Sequence, residues 1–246
     1  MRLPLVRLLS FLLACATLAA GCAAAPPAAG DKDVDLLLLG EQHDAAEHQR
    51  LHHQTVVDLL GRGRLAALVL EMAEEGATTA GLPRNADESA VRSALGWSEQ
   101  AWHWQAYAPA VMAAVRAGVP VLGANLPRQQ MRGAMADARL DAALPPEAMA
   151  RHREAIRAGH CDLIPAERLG PMARIQVARD QAMARTLAQA ARRGATVVLL
   201  AGSGHVDPEL GVPRHLREDL SVRPVTWPPQ PPKKDYCAEL RRQMGR

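Results

Sequence analysis

Residues 36–44 read LLLLGEQHD, and this stretch decides the fold. Four consecutive leucines form an apolar run of strand length, which is typical of a strand buried on both faces of a parallel sheet. The run ends in a glycine, a carboxylate and an imidazole. Carboxylates and imidazoles are common proton-transfer groups and metal ligands. The stretch therefore predicts a buried strand whose carboxyl end carries chemistry.

The same pattern recurs along the chain. Apolar runs of strand length cover 34–39, 65–70, 119–122, 196–201 and 221–227. Segments of helical composition cover 45–60, 86–95, 98–118, 147–159 and 171–193. This alternation predicts an α/β fold, with a mostly parallel sheet flanked by helices. We expect the long segment between the second and third strands to form a helical insertion or subdomain.

The amino-terminal residues predict export and lipidation. A basic start and an apolar run are typical of a secretory signal, and residues 18–22, LAAGC, resemble a bacterial lipobox. The lipobox implies cleavage before Cys22 and diacylation of that cysteine. The alternative is a plain secreted or uncleaved signal. We expect a signal peptide at 1–21, a lipidated tether at 22–33, the α/β domain at 34–228 and an extended, proline-rich tail at 229–246.

The signal predicts a location in the cell envelope. Ala23 rather than an aspartate follows Cys22, which favours a lipid anchor in the outer membrane, facing the periplasm. Removal of residues 1–21 leaves 27 basic against 26 acidic residues, so the charge does not indicate nucleic acid as a partner. In an oxidising compartment Cys161 and Cys237 either form a disulfide or remain free thiols.

Acid–base side chains follow three of the expected strands. Glu41 and His43 follow the first, Glu71 the second and His205 the fourth. Ligands of open parallel sheets bind beyond the carboxyl ends of the strands, so we expect these four side chains to share one crevice. They are candidate catalytic acids and bases, and His43, His205 and Glu71 are candidate ligands of a divalent metal. The alternative is that both histidines cap helices or brace loops.

Two helices carry polar groups on apolar faces. His48 and His52 lie on the stripe of the first helix that also carries Val56, which is typical of partly buried, hydrogen-bonded histidines. The alternative is that they are ligands or orient ligands. Arg179 and Asp180 lie on the helix expected from residue 171. These two either form a buried network that braces loops, or Arg179 donates hydrogen bonds to an anionic ligand.

Residues 96–109, GWSEQAWHWQAYAP, contain three of the four tryptophans and one of the two tyrosines, although aromatic residues are only 3% of the chain. Ser98 suits the N-cap of a helix. In that helix His103 and Trp104 would each lie on the same side as Tyr107. Such a cluster forms either a small hydrophobic core or a platform for a flat ligand.

Together these motifs resemble the ChaN-like haem-binding lipoproteins, which belong to a superfamily with the Tiki proteases, TraB proteins and erythromycin esterases. The likeness runs from about residue 34 to 236. It rests on an ordered set of motifs, namely GEQH (40–43), LVLEM (68–72), WHWQAY (102–107), GANLPR (123–128), HC (160–161), LAGSGHV (200–206) and DY (235–236).

The resemblance implies an outer-membrane lipoprotein that takes part in iron or haem acquisition. It implies haem as the cofactor, bound through a tyrosine and sometimes as two stacked haems that bridge a homodimer. Tyr107 and Tyr236 are the tyrosines of the chain, and the aromatic motif favours Tyr107 as the iron ligand. His103, Trp104 and Arg179 are further candidates for the haem site.

The superfamily also implies an alternative function. Its Tiki-like members carry paired Gly-x-x-His motifs and a glutamate for metal-dependent hydrolysis, a pattern that Glu71, His43 and His205 match. The alternative is therefore a metal-dependent hydrolase of peptide or ester bonds. A structural lipoprotein without a small ligand would not need four acid–base groups at strand ends.

Overall fold

The computed structural model describes residues 34–245. The expected signal peptide, the tether and Cys22 lie outside these residues. Within the described range, no helix has both the length and the apolar character that crossing a membrane requires.

One parallel sheet organises the described residues. Its five strands are β1 (Leu36–Glu41), β2 (Leu65–Glu74), β3 (Val121–Asn125), β4 (Thr196–Gly202) and β5 (Val222–Thr226). They lie in the order β3-β2-β4-β1-β5, and every neighbouring pair is parallel. The predicted parallel sheet is confirmed, and the order makes β1, β4 and β2 adjacent, which brings their carboxyl ends together.

The four leucines of β1 are all buried because helices cover both faces of the sheet. The helices are α1 (Ala46–Gly61), α2 (Glu88–Ala94), α3 (Trp104–Ala117), α4 (Arg128–Ala136), α5 (Pro146–Gly159), α6 (Ala166–Ala190) and α7 (Tyr236–Gln243). Leu37 and Leu39 belong to the core formed with α1 and α3. Leu36 and Leu38 belong to the core formed with α6. Alternate residues of one strand therefore fill two cores.

Helix α3 begins at Trp104, so the expected start at Ser98 is wrong. Residues 97–103 form a turn in which the indole N–H of Trp97 donates to the carbonyl of Trp102 at 2.9 Å. The carboxylate of Glu99 accepts from the backbone N–H of Trp104 at 3.2 Å and so satisfies a free donor at the helix start. A side chain from the turn thus replaces the serine cap.

Three other helices differ from expectation. Helix α6 begins at Ala166, earlier than the expected residue 171, and continues through Pro171. Helix α4 was not expected, because it buries no residue and so has no clear apolar stripe. The tail forms α7 rather than an extended segment, and the Asp235 carboxylate caps it by accepting from the backbone N–H of Ala238 at 2.8 Å.

The helical insertion also lies in a different place. Between β2 and β3, helix α3 joins the main core instead of forming a separate subdomain. The segment between β3 and β4 contributes most of a small core of its own, formed by Leu144, Ala148, Met149, Ile156, Ala173, Val177 and Leu210. This core supports one wall of the functional site.

Gly40 lies inside β1, where a short 3₁₀ helix, Ser203–Val206, packs closely against the strand. A Cβ at position 40 would collide with Val206 Cγ2 and lie 3.0 Å from Ser203 Cα. We expect Gly40→Ala to lower the free energy of unfolding by about 1–3 kcal/mol through overpacking. Gly204→Ala, where a Cβ would meet nothing within 4 Å, is the control. Equal urea midpoints for the two variants would contradict the close approach.

Candidate functional site

The four acid–base residues meet at the carboxyl ends of β1, β2 and β4. Glu41 ends β1, Glu71 lies in β2, and His205 lies in the 3₁₀ helix that follows β4. The Glu71 carboxylate lies between the two imidazoles, with Oε1 3.4 Å from His205 Nε2 and Oε2 3.9 Å from His43 Nε2. Neighbouring parallel strands therefore bring together the side chains that the sequence analysis grouped.

A second carboxylate holds each imidazole by its other nitrogen. His43 Nδ1 lies 2.8 Å from Glu41 Oε1, and His205 Nδ1 lies 2.6 Å from Asp180 Oδ1. Asp180 comes from α6 and is fully buried. The carboxylates orient both rings so that each Nε2 faces Glu71. Asp180 was not grouped with this crevice from the sequence, because nothing local in a helix indicates a partner on a distant loop.

The electrostatics of the crevice favour an ion pair at its centre. Burial alone would lower the pKa of His205, but the charges of Glu71 and Asp180 outweigh it and raise that pKa to about 10. Burial alone would raise the pKa of Glu71, but the His205 charge and hydrogen bond lower it to about 2. Burial alone would also lower the pKa of His43, but Glu41 and Glu71 outweigh it and raise that pKa. At neutral pH His205 is an imidazolium beside the Glu71 carboxylate.

This ion pair predicts how stability depends on pH. The raised pKa of His205 gives stabilisation that is fully present below about pH 6.5 and lost as the pH rises to about 10. On the acid side, burial lowers the pKa of His52 to about 3, so stability is lost as the pH falls from 6.5. Glu71 adds to that loss between pH 4.5 and about 2. We expect the thermal midpoint to be highest near pH 6.5, and a flat profile from pH 6.5 to 10 would contradict the pair.

The residues of the crevice do not fit a metal ion in this arrangement. Within 34–245, no group of three or more His, Cys, Asp and Glu side chains is placed to hold a metal. The Nε2 atoms of the two histidines face Glu71 instead of a shared vacant point.

A cavity of about 860 Å³ opens onto these groups, and we name it the strand-end crevice. Its floor contains Glu41, His43 and His205. Its walls come from α5, α6 and the segment after β5. They include Ile156, His160, Gln176 and Trp227. This volume lies within the range of small-molecule sites.

The aromatic cluster divides between the core and a second cavity. Trp104 is buried, its indole donates to Glu88 Oε2 at 2.6 Å, and its ring packs on Trp97 with centroids 5.0 Å apart. Trp102 stays at the edge, 4.8 Å from the His43 ring. The cluster therefore forms a small core around Trp104, and Trp102 forms an aromatic wall at its edge.

Tyr107 points into the protein. It is 3% exposed, and its hydroxyl donates to Glu41 Oε1. Burial, and then the Glu41 charge, raise the pKa of this phenol well above its usual value. Tyr107 thus stabilises the Glu41–His43 pair as a neutral hydrogen-bond donor.

Tyr236 lines the second cavity, which has a volume of about 700 Å³. It is 46% exposed, and its hydroxyl donates to Asp44 Oδ2 at 2.8 Å. We name this the tyrosine cavity. It is lined by His43, Asp44, Trp102, His103, Tyr107, Lys233, Lys234 and Tyr236, among others. His43 lines both cavities, so its ring forms part of the wall between them.

Asp44 fixes the carboxyl-terminal segment at this cavity. It accepts from the backbone N–H of Lys233 at 3.0 Å and from the Gln42 amide at 2.7 Å. Burial alone would raise the pKa of Asp44, but the hydrogen bonds from Lys233, Gln42 and Tyr236 together outweigh it and lower that pKa to about 2. Sequence reasoning missed Gln42 and Asp44 although both lie in LLLLGEQHD. Glu41 and His43 belong to the acid–base group of the crevice. The side chains of Gln42 and Asp44 instead bind the carboxyl-terminal segment.

The remaining candidates lie around these cavities. His103 is the N-cap of α3 and lines the tyrosine cavity, with its side chain 92% exposed. Arg179 is half-buried and is not among the residues that line either cavity. His48 is buried, accepts from the Gln42 N–H at 3.0 Å, and lies 3.1 Å from the Pro228 carbonyl. Its proton is therefore on Nε2, and it braces the loop.

The sheet, its strand-end crevice and the adjoining tyrosine cavity define an α/β protein with two cavities at the carboxyl ends of its strands. The family described as haem-binding uptake, Tiki superfamily, ChaN matches residues 29–216. The chain belongs to this family.

Two solved structures are similar to the chain. "Cofacial heme binding to ChaN of Campylobacter jejuni" is 24% identical, with a TM-score of 0.65 over 78% of this chain and 81% of that one. "The structure of the type III effector HopBA1" is 19% identical, with a TM-score of 0.38 over 70% and 67%. No match was found among curated proteins. The first similarity supports the fold alone, and the second carries no argument.

Proposed function

We propose that this protein binds ferric haem in the tyrosine cavity, with Tyr236 as the iron ligand. The observation that carries the proposal is an exposed phenol at a cavity of about 700 Å³ in a chain of the ChaN family. The Campylobacter jejuni relative is described as binding haem cofacially. The same ligand is proposed for this chain.

The lining of the tyrosine cavity fits a flat, anionic cofactor. The ring of Trp102 offers an apolar surface against which a porphyrin would pack. Lys233 and Lys234 supply positive charge for the carboxylates of the cofactor. Ferric iron, when bound, supplies the Lewis-acid charge that favours a phenolate over a phenol.

The geometry favours Tyr236 over Tyr107, which the aromatic motif favoured. A phenol that is 3% exposed and donates to a carboxylate must lose that bond and ionise within a buried site. The Asp44 hydrogen bond also raises the pKa of Tyr236, but this phenol is half in solvent. The Asp44 carboxylate accepts a hydrogen bond from its hydroxyl at 2.8 Å, and the proton of the phenol would leave to solvent when iron binds.

A hemin titration tests the proposal directly. The full chain, purified in detergent, is titrated with hemin from nanomolar to micromolar concentration, and its visible spectrum is recorded. We expect a saturable shift of the Soret band. The absence of a shift at micromolar hemin would reject haem binding.

We also propose that the protein acts as a lipid-anchored envelope protein in iron or haem acquisition. The support is the lipobox at Cys22 and the word "uptake" in the family description. Labelled palmitate should be incorporated into the wild type and not into Cys22→Ala.

The cofacial haems of the relative support a haem-bridged homodimer. Sedimentation with and without hemin should show a dimer only with hemin, and a monomer in both samples would reject the bridge.

The strand-end crevice supports a second candidate function, acid–base hydrolysis of an ester or peptide bond. The observation that favours it is the pairing of each imidazole with an orienting carboxylate, as in sites that transfer protons. His43 has a side chain that is 42% exposed and Glu41 on its Nδ1, so its Nε2 can take a proton from water. The His205 imidazolium would stabilise negative charge on the substrate.

Ester hydrolysis tests this second function. We expect His43→Gln and Glu71→Gln to lower kcat/KM for p-nitrophenyl esters by about 100-fold or more, the usual range for general acid–base groups. His103→Gln, at an exposed position, is the control. Equal rates in all three variants would reject the crevice as a catalytic site. A rate that chelator abolishes and added divalent metal restores would favour the metal-dependent alternative.

A further inference from the structure

The segment that carries Tyr236 has little attachment of its own to the protein core. Helix α7 buries no residue. Before it, the Gln42 side chain makes two hydrogen bonds with the backbone of Gln230, both of 3.0 Å, and Asp44 accepts from Lys233. Each such hydrogen bond contributes only about 0.5–1.5 kcal/mol net. The position of the phenol therefore depends on a stronger constraint.

That constraint is the disulfide between Cys161 and Cys237. It ties the residue after Tyr236 to the turn that follows α5, with the two Cα atoms 5.6 Å apart. The cross-link closes 76 residues of sequence separation, so it removes much conformational freedom from the segment. The same disulfide adjoins His160, which lines the strand-end crevice.

The backbone at Cys161 is also strained. Cys161 and Asp162 adopt left-handed φ values of 58° and 60°, which are unfavourable for residues other than glycine. Such conformations persist only where surrounding contacts hold them. Here the holding contacts are the disulfide, an ion pair between Arg157 and Asp162, and hydrogen bonds from the backbone N–H groups of Cys161 and Asp162 to the last turn of α5. Cleavage of the disulfide would remove the one covalent contact among them.

We propose that the Cys161–Cys237 disulfide is a redox-sensitive clasp that positions Tyr236 at the tyrosine cavity, and that its reduction releases the segment and weakens haem binding. This inference rests on the proposed haem function. Both cysteines are partly exposed, so a reductant can reach them. With the clasp open, the segment keeps its hydrogen bonds with Gln42, Asp44 and His48 but no covalent cross-link to the rest of the fold.

The reductant is a dithiol. One of its thiolates attacks a sulfur of the disulfide and forms a mixed disulfide, which releases the other cysteine as a thiol after protonation. The second thiolate of the reductant then displaces the remaining cysteine. The protein gains two electrons and two protons, and the reductant becomes a disulfide. The redox state of the envelope would thus set how firmly the protein holds its ligand.

Two measurements on the full chain test the clasp. The variants are the double substitution Cys161→Ser with Cys237→Ser and, as a control, Arg241→Gln at an exposed site on α7. Without hemin, amide hydrogen exchange across 228–243 should be about tenfold faster in the double variant and unchanged in the control. With hemin, the Kd should rise about tenfold in the double variant. Wild type reduced with dithiothreitol before the assay should match it.

The outcomes separate the clasp from the haem function. Unchanged exchange in the double variant would overturn the clasp, whatever hemin does. Faster exchange with an unchanged hemin Kd would overturn its role in haem binding. A wild type that binds no hemin would reject the proposed function and, with it, the ligand-holding role. Faster exchange in that case would retain only the mechanical part of the inference.

Discussion

Replacing Tyr236 by phenylalanine is expected to weaken hemin binding by about 100-fold, which corresponds to about 2.8 kcal/mol. The substitution removes the oxygen that would ligate the iron and leaves the ring in place. Stability should change little, because the side chain is 46% exposed and its hydrogen bond to Asp44 is at the surface. Hemin titration gives the Kd, and urea unfolding gives the stability.

Tyr107→Phe is the matched control for that variant. It removes the hydrogen bond to Glu41 from a buried site, so we expect a loss of about 1–3 kcal/mol in the free energy of unfolding. Its hemin Kd should stay within about threefold of the wild-type value. The reverse pattern, with tight binding in Tyr236→Phe and loss in Tyr107→Phe, would return the iron ligand to the aromatic motif.

The strands and the four strand-end residues could be predicted because their signals are local. An apolar run such as 36–39 identifies a buried strand by itself, and the topology of parallel sheets brings carboxyl ends to one edge. Glu41, Glu71 and His205 then need no further information to be grouped. Asp180, the partner of His205, could not be grouped with them in this way. The sequence of a helix face does not indicate the loop against which that face packs.

The tyrosine cavity could not be predicted for a related reason. Its residues come from α3 and the turn before it, from the loop after β1 and the start of α1, and from the carboxyl-terminal segment, which are distant in the sequence. The proline-rich composition of 228–232 indicated an extended, exposed tail, yet the side chains of Gln42 and Asp44 hold it on the protein by accepting from the backbone N–H groups of Gln230 and Lys233. Loop side chains determine the position of this segment. Loops have no sequence periodicity, so their contacts could not be predicted.

Replacing His205 by leucine is expected to destabilise the fold by about 3–5 kcal/mol, the range for removing one partner of a buried ion pair. Leucine has a similar size but cannot pair with the buried carboxylates of Glu71 and Asp180. His103→Leu is the control, since that side chain is 92% exposed and should change stability by less than about 0.5 kcal/mol. Urea unfolding at pH 7 measures both variants.

The pH dependence of the His205→Leu variant separates a lost charge from a lost shape. The wild type should lose stability as the pH rises from 6.5 to about 10, because His205 gives up its proton in that range. The variant lacks this group and keeps only the smaller contribution of His43, so its stability should fall less over that range. The difference in unfolding free energy between wild type and variant should therefore narrow. A gap that is constant from pH 6.5 to 10 would mean that leucine simply packs badly. The charge of His205 would then not be what holds Glu71 and Asp180 in the crevice.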